Sequence, residues 1–127
     1  MTSRQTLALG AILGALGVAL GAFGAHALRG SLSPADAATF ETAVRYQLVH
    51  AGALVALAGW AERAPSRQLD WASRLWSLGT VIFSGSLYLL VLLDQRWLGA
   101  VTPFGGVALI AGWLLVVAST LSSAAAR

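Results

Sequence analysis

The chain has 127 residues, of which 57% are apolar and 10% charged, whereas soluble domains have about 45–50% apolar and about 25% charged residues. This composition excludes a disordered chain and disfavours a soluble globular domain, while the length fits a single domain over residues 1–127. The absence of cysteine excludes thiol catalysis, disulfides and thiolate metal sites, and a net charge of +3 from a few dispersed arginines predicts no nucleic-acid partner.

The first predicted element is a transmembrane helix over about residues 6–28. From Thr6 to Ala25 the chain has 20 residues without a charge, which is the length that a helix needs to cross a hydrocarbon core about 30 Å thick. Together with Arg4, this run resembles a signal peptide that ends at an Ala-x-Ala cleavage site, but signal peptides have a shorter apolar region of about 7–15 residues. We therefore expect the mature protein to keep the segment.

Five glycines in this helix are spaced by four, three, four and three residues, so they lie on one face. Faces of small residues let membrane helices approach closely, which a discarded signal peptide would not need. The sequence leaves open whether this face packs within one chain or against a second copy. The helix-packing glycines are Gly10, Gly14, Gly17, Gly21 and Gly24.

The second predicted element is a helix over about residues 34–62, preceded by the cap residue Ser33. Only 16 uncharged residues lie between Arg45 and Glu62, so a buried helix of a soluble protein could also have this sequence. In a chain with three clear transmembrane segments, a fourth span is the better interpretation. Its membrane part then begins near Glu41.

A membrane span that begins near Glu41 divides the polar residues into two groups, one at the membrane boundary and one within the hydrocarbon. Glu41 and Arg45 reach the outer membrane boundary as an i, i+4 ion pair. His26, at the end of the first helix, lies at a similar depth, so these three residues form a predicted outer-boundary cluster. Gln47 and His50 lie within the hydrocarbon, where polar side chains are costly and need partners on other helices.

The third and fourth predicted elements are transmembrane helices over about residues 73–93 and 103–123. The third contains 19 uncharged residues from Leu75, and the fourth lies within a run of 30 from Trp97. A polar link that includes Pro65 precedes the third helix. The four helices together predict an all-α membrane protein, a bundle of four transmembrane helices that run up, down, up and down.

The third helix carries hydroxyl groups at the depth of the polar residues in the second. Thr80, Ser84 and Tyr88 recur every four residues on one face. At 1.5 Å per residue, Ser84 and His50 both lie near the centres of their helices, and Gln47 and Tyr88 both lie a turn further out. We expect His50 to be neutral, to face the bundle interior and to hydrogen-bond to Ser84 or Tyr88. The candidate intramembrane polar cluster is Gln47, His50, Thr80, Ser84, Ser86 and Tyr88.

The sequence contains no arrangement typical of catalysis, so we expect no enzymatic activity, no cofactor and no metal. It has no nucleophile elbow, phosphate loop or dinucleotide fingerprint, and two histidines without a group of carboxylates make a poor metal site. Haem ligation by His26 and His50 is disfavoured because the two side chains differ in depth by about 10 Å or more.

The distribution of arginines predicts the orientation in the membrane. The side that holds both termini and the link between the second and third helices has five arginines, and the other side has two or three. By the positive-inside rule, both termini should lie in the cytoplasm. The five arginines are Arg4, Arg63, Arg67, Arg74 and Arg127.

Four stretches of the chain together resemble a known family. They are Gly-Ala-Phe-Gly-Ala-His from Gly21, Glu-Thr-Ala-Val-Arg-Tyr-Gln from Glu41 with His50 after it, Phe-Ser-Gly-Ser-Leu-Tyr from Phe83, and Thr-Pro-Phe-Gly-Gly from Thr102. In order and spacing, the chain resembles the small bacterial inner-membrane proteins of domain of unknown function 423, which are related to the eukaryotic transmembrane protein 256. The resemblance implies a four-span protein of the bacterial inner membrane, and it carries no established activity or cofactor.

Two functions from different classes remain open at this point. The small size, the lack of catalytic motifs and the glycine faces favour a structural or interaction protein, either a homo-oligomer or an accessory partner of another membrane protein. The polar cluster instead predicts a transporter or channel element for a proton, an ion or a small polar solute. A water-sized cavity lined by the cluster would favour the second function, and a dry, hydrogen-bonded interior the first.

Overall fold

The structure, a computed structural model, describes residues 1–125 and the side chains of residues 1–122. This part of the chain contains helices and no strands, which confirms the predicted all-α fold. The elements are α1 (Ser3–His26), α2 (Pro34–Arg63), α3 (Arg67–Leu92) and α4 (Thr102–Ala125), with a short 3₁₀-helix (Arg96–Ala100) between α3 and α4.

Hydroxyl side chains cap the starts of α2 and α3. The Ser33 hydroxyl accepts a hydrogen bond from the backbone N–H of Asp36 at 3.1 Å, as the sequence predicts. The Ser66 hydroxyl accepts from the backbone N–H of Leu69 at 3.2 Å, so α3 begins at Arg67 rather than at residue 73. The charged residues after Arg67 suggested a link, but a helix that projects beyond the hydrocarbon can carry them.

The bounds of α1 also differ from the prediction. The Thr2 hydroxyl accepts from the backbone N–H of Gln5 at 3.2 Å, and the Gln5 side chain accepts from the Thr2 N–H at 2.9 Å. This capping box starts α1 at Ser3 instead of residue 6. The helix ends at His26 rather than at residue 28, with Ala27 as its C-cap.

α2 and α3 form the centre of the bundle. α1 packs along α2, and α4 packs along α3, whereas α1 and α4 have no close backbone approach within the described residues. Buried apolar side chains form one cluster of Leu54, Leu57, Leu69, Ala72, Trp76 and Leu109, and a second cluster of Phe40, Ala43, Leu87, Tyr88 and Val91.

In the described part of the chain, three segments are long and apolar enough to cross a membrane, namely Ser3–His26, Arg67–Leu92 and Arg96–Ser122. Their outward faces carry exposed apolar side chains that lipid tails would cover. α2 is less apolar than these three segments, because polar and charged side chains interrupt its apolar residues. Its 30 residues nevertheless give a length of about 45 Å, and its crossing of the membrane stays a prediction.

The glycine face of α1 packs within the chain, against α2. A methyl group added at Gly10, Gly17 or Gly24 would lie 3.0, 2.7 or 2.7 Å from the nearest atom of α2. At Gly21 and Gly14 the corresponding distances are 3.2 and 3.7 Å. The two helix backbones therefore approach closely because side chains are missing along this face.

Candidate functional site

A chain of hydrogen bonds through Gln47 connects three helices. The Tyr88 hydroxyl of α3 donates to Oε1 of Gln47 on α2 at 2.8 Å. Nε2 of Gln47 then donates to the backbone carbonyl of Leu13 on α1, also at 2.8 Å. Gln47 and Tyr88 are buried, so both ends of the Gln47 amide have protein partners in a region without lipid contact.

His50 connects α2 to α4, and not to α3 as the sequence predicts. Its Nε2 accepts a hydrogen bond from Nε1 of Trp113 at 3.1 Å, and its Nδ1 lies 2.8 Å from the backbone carbonyl of Tyr46. Because the indole N–H can only donate, Nε2 must be unprotonated and Nδ1 must carry the proton. The ring is 4% exposed, and it faces the bundle interior as expected.

The expected partners of His50 are bonded elsewhere. Oγ of Ser84 donates to the backbone carbonyl of Ala43 at 2.8 Å, and the Tyr88 hydroxyl donates to Gln47. The prediction of a bond to Ser84 or Tyr88 is therefore wrong. The sequence placed His50 at the depth of these hydroxyl groups, but it did not show that the His50 side chain also faces α4. Trp113 was missed because it looks like one more apolar residue of α4, although an indole N–H that is shielded from water usually needs an acceptor.

Aromatic rings surround His50. The ring centroids of Trp76 and Trp113 lie 6.1 and 6.0 Å from the imidazole centroid, with edge-on geometry, and 4.5 Å from each other. The Tyr46 ring stacks on the imidazole at 6.2 Å. Nε1 of Trp76 donates to the backbone carbonyl of Leu109 at 3.2 Å, so this cluster also joins α3 to α4.

The other hydroxyl groups of the predicted cluster do not hydrogen-bond to His50. Oγ of Ser86 is 2.7 Å from Oγ1 of Thr102, which joins α3 to the start of α4. Thr80 is buried, and its Oγ1 has no hydrogen-bond partner in the described part of the chain. The predicted cluster is thus several separate interhelical contacts, and no group of three metal-binding side chains occurs among the described residues.

The end of the bundle that holds the link after α1, predicted to be the outer boundary, contains two sets of ion pairs among the described residues. Arg45 and Glu41 form the expected i, i+4 pair at 3.1 Å, with both side chains exposed. His26 is exposed and makes no hydrogen bond or ion pair with them in the described residues, so the predicted three-residue cluster is reduced to a pair. The second set joins the start of α2 to the loop before α4, because Arg96 contacts Asp36 at 2.7 Å and Asp94 at 2.7 Å.

The second set was not predicted, because Asp36 and Arg96 lie 60 residues apart in the sequence. Both Asp36 oxygens accept from the Arg96 guanidinium, which, with the Ser33 hydroxyl, holds the pKa of the Asp36 carboxyl below its usual value. At the opposite end of the bundle, the Met1 amino group contacts the Asp70 carboxylate, and Arg74 pairs with the same side chain at 3.1 Å.

Substitution of Gln47 should reveal the three-helix connection. We expect Gln47→Leu to lower the free energy of unfolding by about 1–2 kcal/mol, because it leaves the buried Tyr88 hydroxyl without its acceptor. Tyr88→Phe should cost about 0.6 kcal/mol, the average for a hydrogen bond between membrane helices. Since both variants break the same bond, the double variant should cost less than the sum.

Unfolding in mixed detergent micelles measures all three values. Replacement of the exposed Gln95 by leucine is the matched control and should have little effect. Additive losses, within about 0.3 kcal/mol, would contradict a direct bond between Gln47 and Tyr88.

Comparison with known proteins identifies the family. Residues 20–106 match the family described as protein of unknown function (DUF423). The chain belongs to this family. It is 46% identical over 112 residues to a UPF0382 membrane protein of Staphylococcus haemolyticus, covering 88% of this chain and 91% of the relative. It is 43% identical over 121 residues to the UPF0382 inner membrane protein YgdD of Escherichia coli, covering 95% and 92%. No solved structure matches the chain.

The chain is therefore an all-α membrane protein of the DUF423 family. The DUF423 match includes Gln47, His50 and Tyr88, whereas their partners Leu13 and Trp113 lie outside the matched residues. The relatives identify the family and a membrane location.

Proposed function

We propose that this chain is a small structural or interaction protein of the bacterial inner membrane, which acts through the surfaces of its helices. The proposal rests on the hydrogen bonds that its buried polar side chains make between helices. Gln47 joins three helices, and His50 joins α2 to α4, each through hydrogen bonds to fixed protein atoms. Such bonds stabilise a bundle, whereas a transporter needs polar groups that a proton or solute can reach.

The proposed partner is a second copy or another membrane protein. Two glycines on α2, Gly52 and Gly59, have open space where a side chain would lie, unlike the glycines of α1. Small residues on an open face allow another helix to approach. The name of the Escherichia coli relative supports the inner membrane as the location.

We also propose that all four helices cross the membrane with both termini in the cytoplasm. The contact between Met1 and Asp70 holds the N-terminus near the link that follows α2. The contact between Arg96 and Asp36 holds the other two links together at the opposite end. This arrangement supports alternating helix directions, and the excess of arginines at the Met1 end supports its cytoplasmic location.

Single cysteines test this orientation, because the chain has none of its own. We expect Ser31→Cys, in the exposed link after α1, to react in intact cells with a thiol reagent that cannot cross the membrane. Ala64→Cys, in the exposed link after α2, should react only after lysis. The reverse pattern would refute the orientation, and labelling of both in intact cells would refute the crossing of α2.

The proposed function is tested by flux and mass measurements on purified protein. In proteoliposomes with an internal pH indicator, we expect the same proton leak for wild type, His50→Gln and empty liposomes. In mild detergent, the complex should have a mass above that of one chain, from a second copy or a stoichiometric partner. Proton flux that His50→Gln abolishes would overturn the proposal in favour of transport, and a lone monomer would overturn the interaction role.

A further inference from the structure

A cleft of about 460 Å³ opens between the end of α1 and the start of α2. Its volume lies within the range of about 300–1,000 Å³ that is usual for small-molecule sites. α1 and α2 are in contact where Gly24 meets Phe40 and Gly21 meets Val44, and these residues form the floor of the cleft. Ala25 and Ala37 also line it. We call this space the α1–α2 cleft.

The cleft runs from the membrane boundary into the hydrocarbon. Gly21 is four residues before Ala25 in α1, so it lies about 6 Å deeper in the membrane. Phe40 packs its ring against Tyr88 at 5.1 Å and is 3% exposed, so it holds the floor of the cleft in place. The link after α1 closes the outer end with Leu28, Arg29 and Leu32.

Arg29 provides an unpaired positive charge at the mouth of the cleft. It is exposed and makes no hydrogen bond or ion pair with any described residue. Arg45 and Arg96 at the same end of the bundle are paired with carboxylates, at 3.1 and 2.7 Å. Glu41 also lines the cleft, but its charge is balanced by Arg45.

We propose that the α1–α2 cleft binds one acyl chain of an anionic phospholipid, with the headgroup phosphate on Arg29. The apolar walls at hydrocarbon depth suit the chain, and the mouth at the boundary places a cation where the phosphate would lie. A guanidinium can give two parallel hydrogen bonds to phosphate oxygens, which favours it over a simple point charge. The site rests on the membrane crossing proposed above for α1 and α2, and its lining does not include Gly52 or Gly59, the open glycines of the proposed interaction face.

Native mass spectrometry of the full chain in a nonionic detergent tests this site. The probe is a single-chain phosphatidylglycerol, compared with a phosphatidylcholine of the same chain and with glycerol phosphate, which has no chain. We expect the wild type to bind the anionic lipid about tenfold more tightly than the zwitterionic one. Glycerol phosphate should not bind at the same concentrations.

Two pairs of variants separate the chain contact from the phosphate contact. Arg29→Gln should remove the preference for the anionic lipid, and Arg29→Lys should keep part of it. Ala37→Phe should fill the cleft and weaken both lipids, whereas Ala38→Phe, next to it and outside the lining, should bind as the wild type does. All three positions are exposed, and circular dichroism checks that the variants remain helical.

The proposal is overturned by any of the following results. Both lipids carry a phosphate, and they differ by the choline cation of the zwitterionic one. Equal binding of the two lipids, or a preference that survives Arg29→Gln, would therefore show that Arg29 does not select a headgroup with a net negative charge. Equal effects of Ala37→Phe and Ala38→Phe would place the lipid elsewhere on the helices. Tight binding of glycerol phosphate would assign Arg29 to a free phosphate rather than to a lipid.

Discussion

Replacement of Trp76 with alanine should lower the free energy of unfolding by about 3 kcal/mol. The side chain is 2% exposed, it packs against Trp113 with centroids 4.5 Å apart, and its indole donates to the Leu109 carbonyl. Truncation of a buried tryptophan in a soluble protein costs about 3–5 kcal/mol. We expect the lower end, because unfolding inside a membrane exposes the side chain to lipid rather than to water.

Unfolding in mixed micelles measures this loss, and two other tryptophans provide the controls. Trp97 is 65% exposed and Trp71 is 49% exposed, so alanine at either position should change stability by less than about 0.5 kcal/mol. A loss at Trp76 no larger than at Trp97 would show that α3 and α4 do not pack through the aromatic cluster around His50.

Alanine at Gly105 should be nearly as damaging, for the opposite reason. An added methyl group would lie 2.5 Å from the backbone nitrogen of Phe83 and 2.8 Å from its Cα. Backbone atoms cannot rotate away as a side chain can, so α3 and α4 would have to separate. Overpacking of this kind typically costs about 1–3 kcal/mol, and we expect the upper end, even though alanine is the better helix former by about 1 kcal/mol.

The adjacent residue supplies a matched control for this substitution. A methyl group at Gly106 would lie 3.7 Å from the Phe83 ring, which is ordinary contact. Gly106→Ala should therefore be neutral or slightly stabilising through helix propensity. If both alanines have the same effect on the unfolding midpoint, the close α3–α4 approach at Phe83 is wrong.

Much of the fold could be predicted because membrane helices leave simple signals. Runs of uncharged residues predicted three of the four helices, the presence of those three favoured a fourth span, and Ser33 marked the start of α2 as the structure has it. Ser66 is the same kind of cap, but the charged residues that follow it led to a predicted start of α3 near residue 73. The rule that charges end a transmembrane segment describes where hydrocarbon ends, and a helix can continue past that point.

The sequence predicted how deep each polar side chain lies along its helix, but not which neighbouring helix it faces. The 1.5 Å rise placed Gln47 level with Tyr88, and the two side chains do hydrogen-bond. The same arithmetic placed His50 level with Ser84, yet His50 bonds to Trp113. Periodicity tells which residues share a face and a depth, but it does not tell which neighbouring helix lies opposite that face. That information comes from packing of the whole bundle, including the close approaches at glycines.

The central claim is that the polar groups inside the bundle hold helices together in a region that water does not reach. The most direct measurement is the reaction rate of Ser84→Cys, a nearly isosteric change at a buried position, with a water-borne thiol reagent in proteoliposomes. Ser31→Cys in the exposed link after α1 is the reference. We predict that the cysteine at 84 reacts at least about 100-fold more slowly than the one at 31 and becomes reactive on unfolding. Comparable rates for the two cysteines in the folded protein would reveal a water path to the cluster and contradict the account.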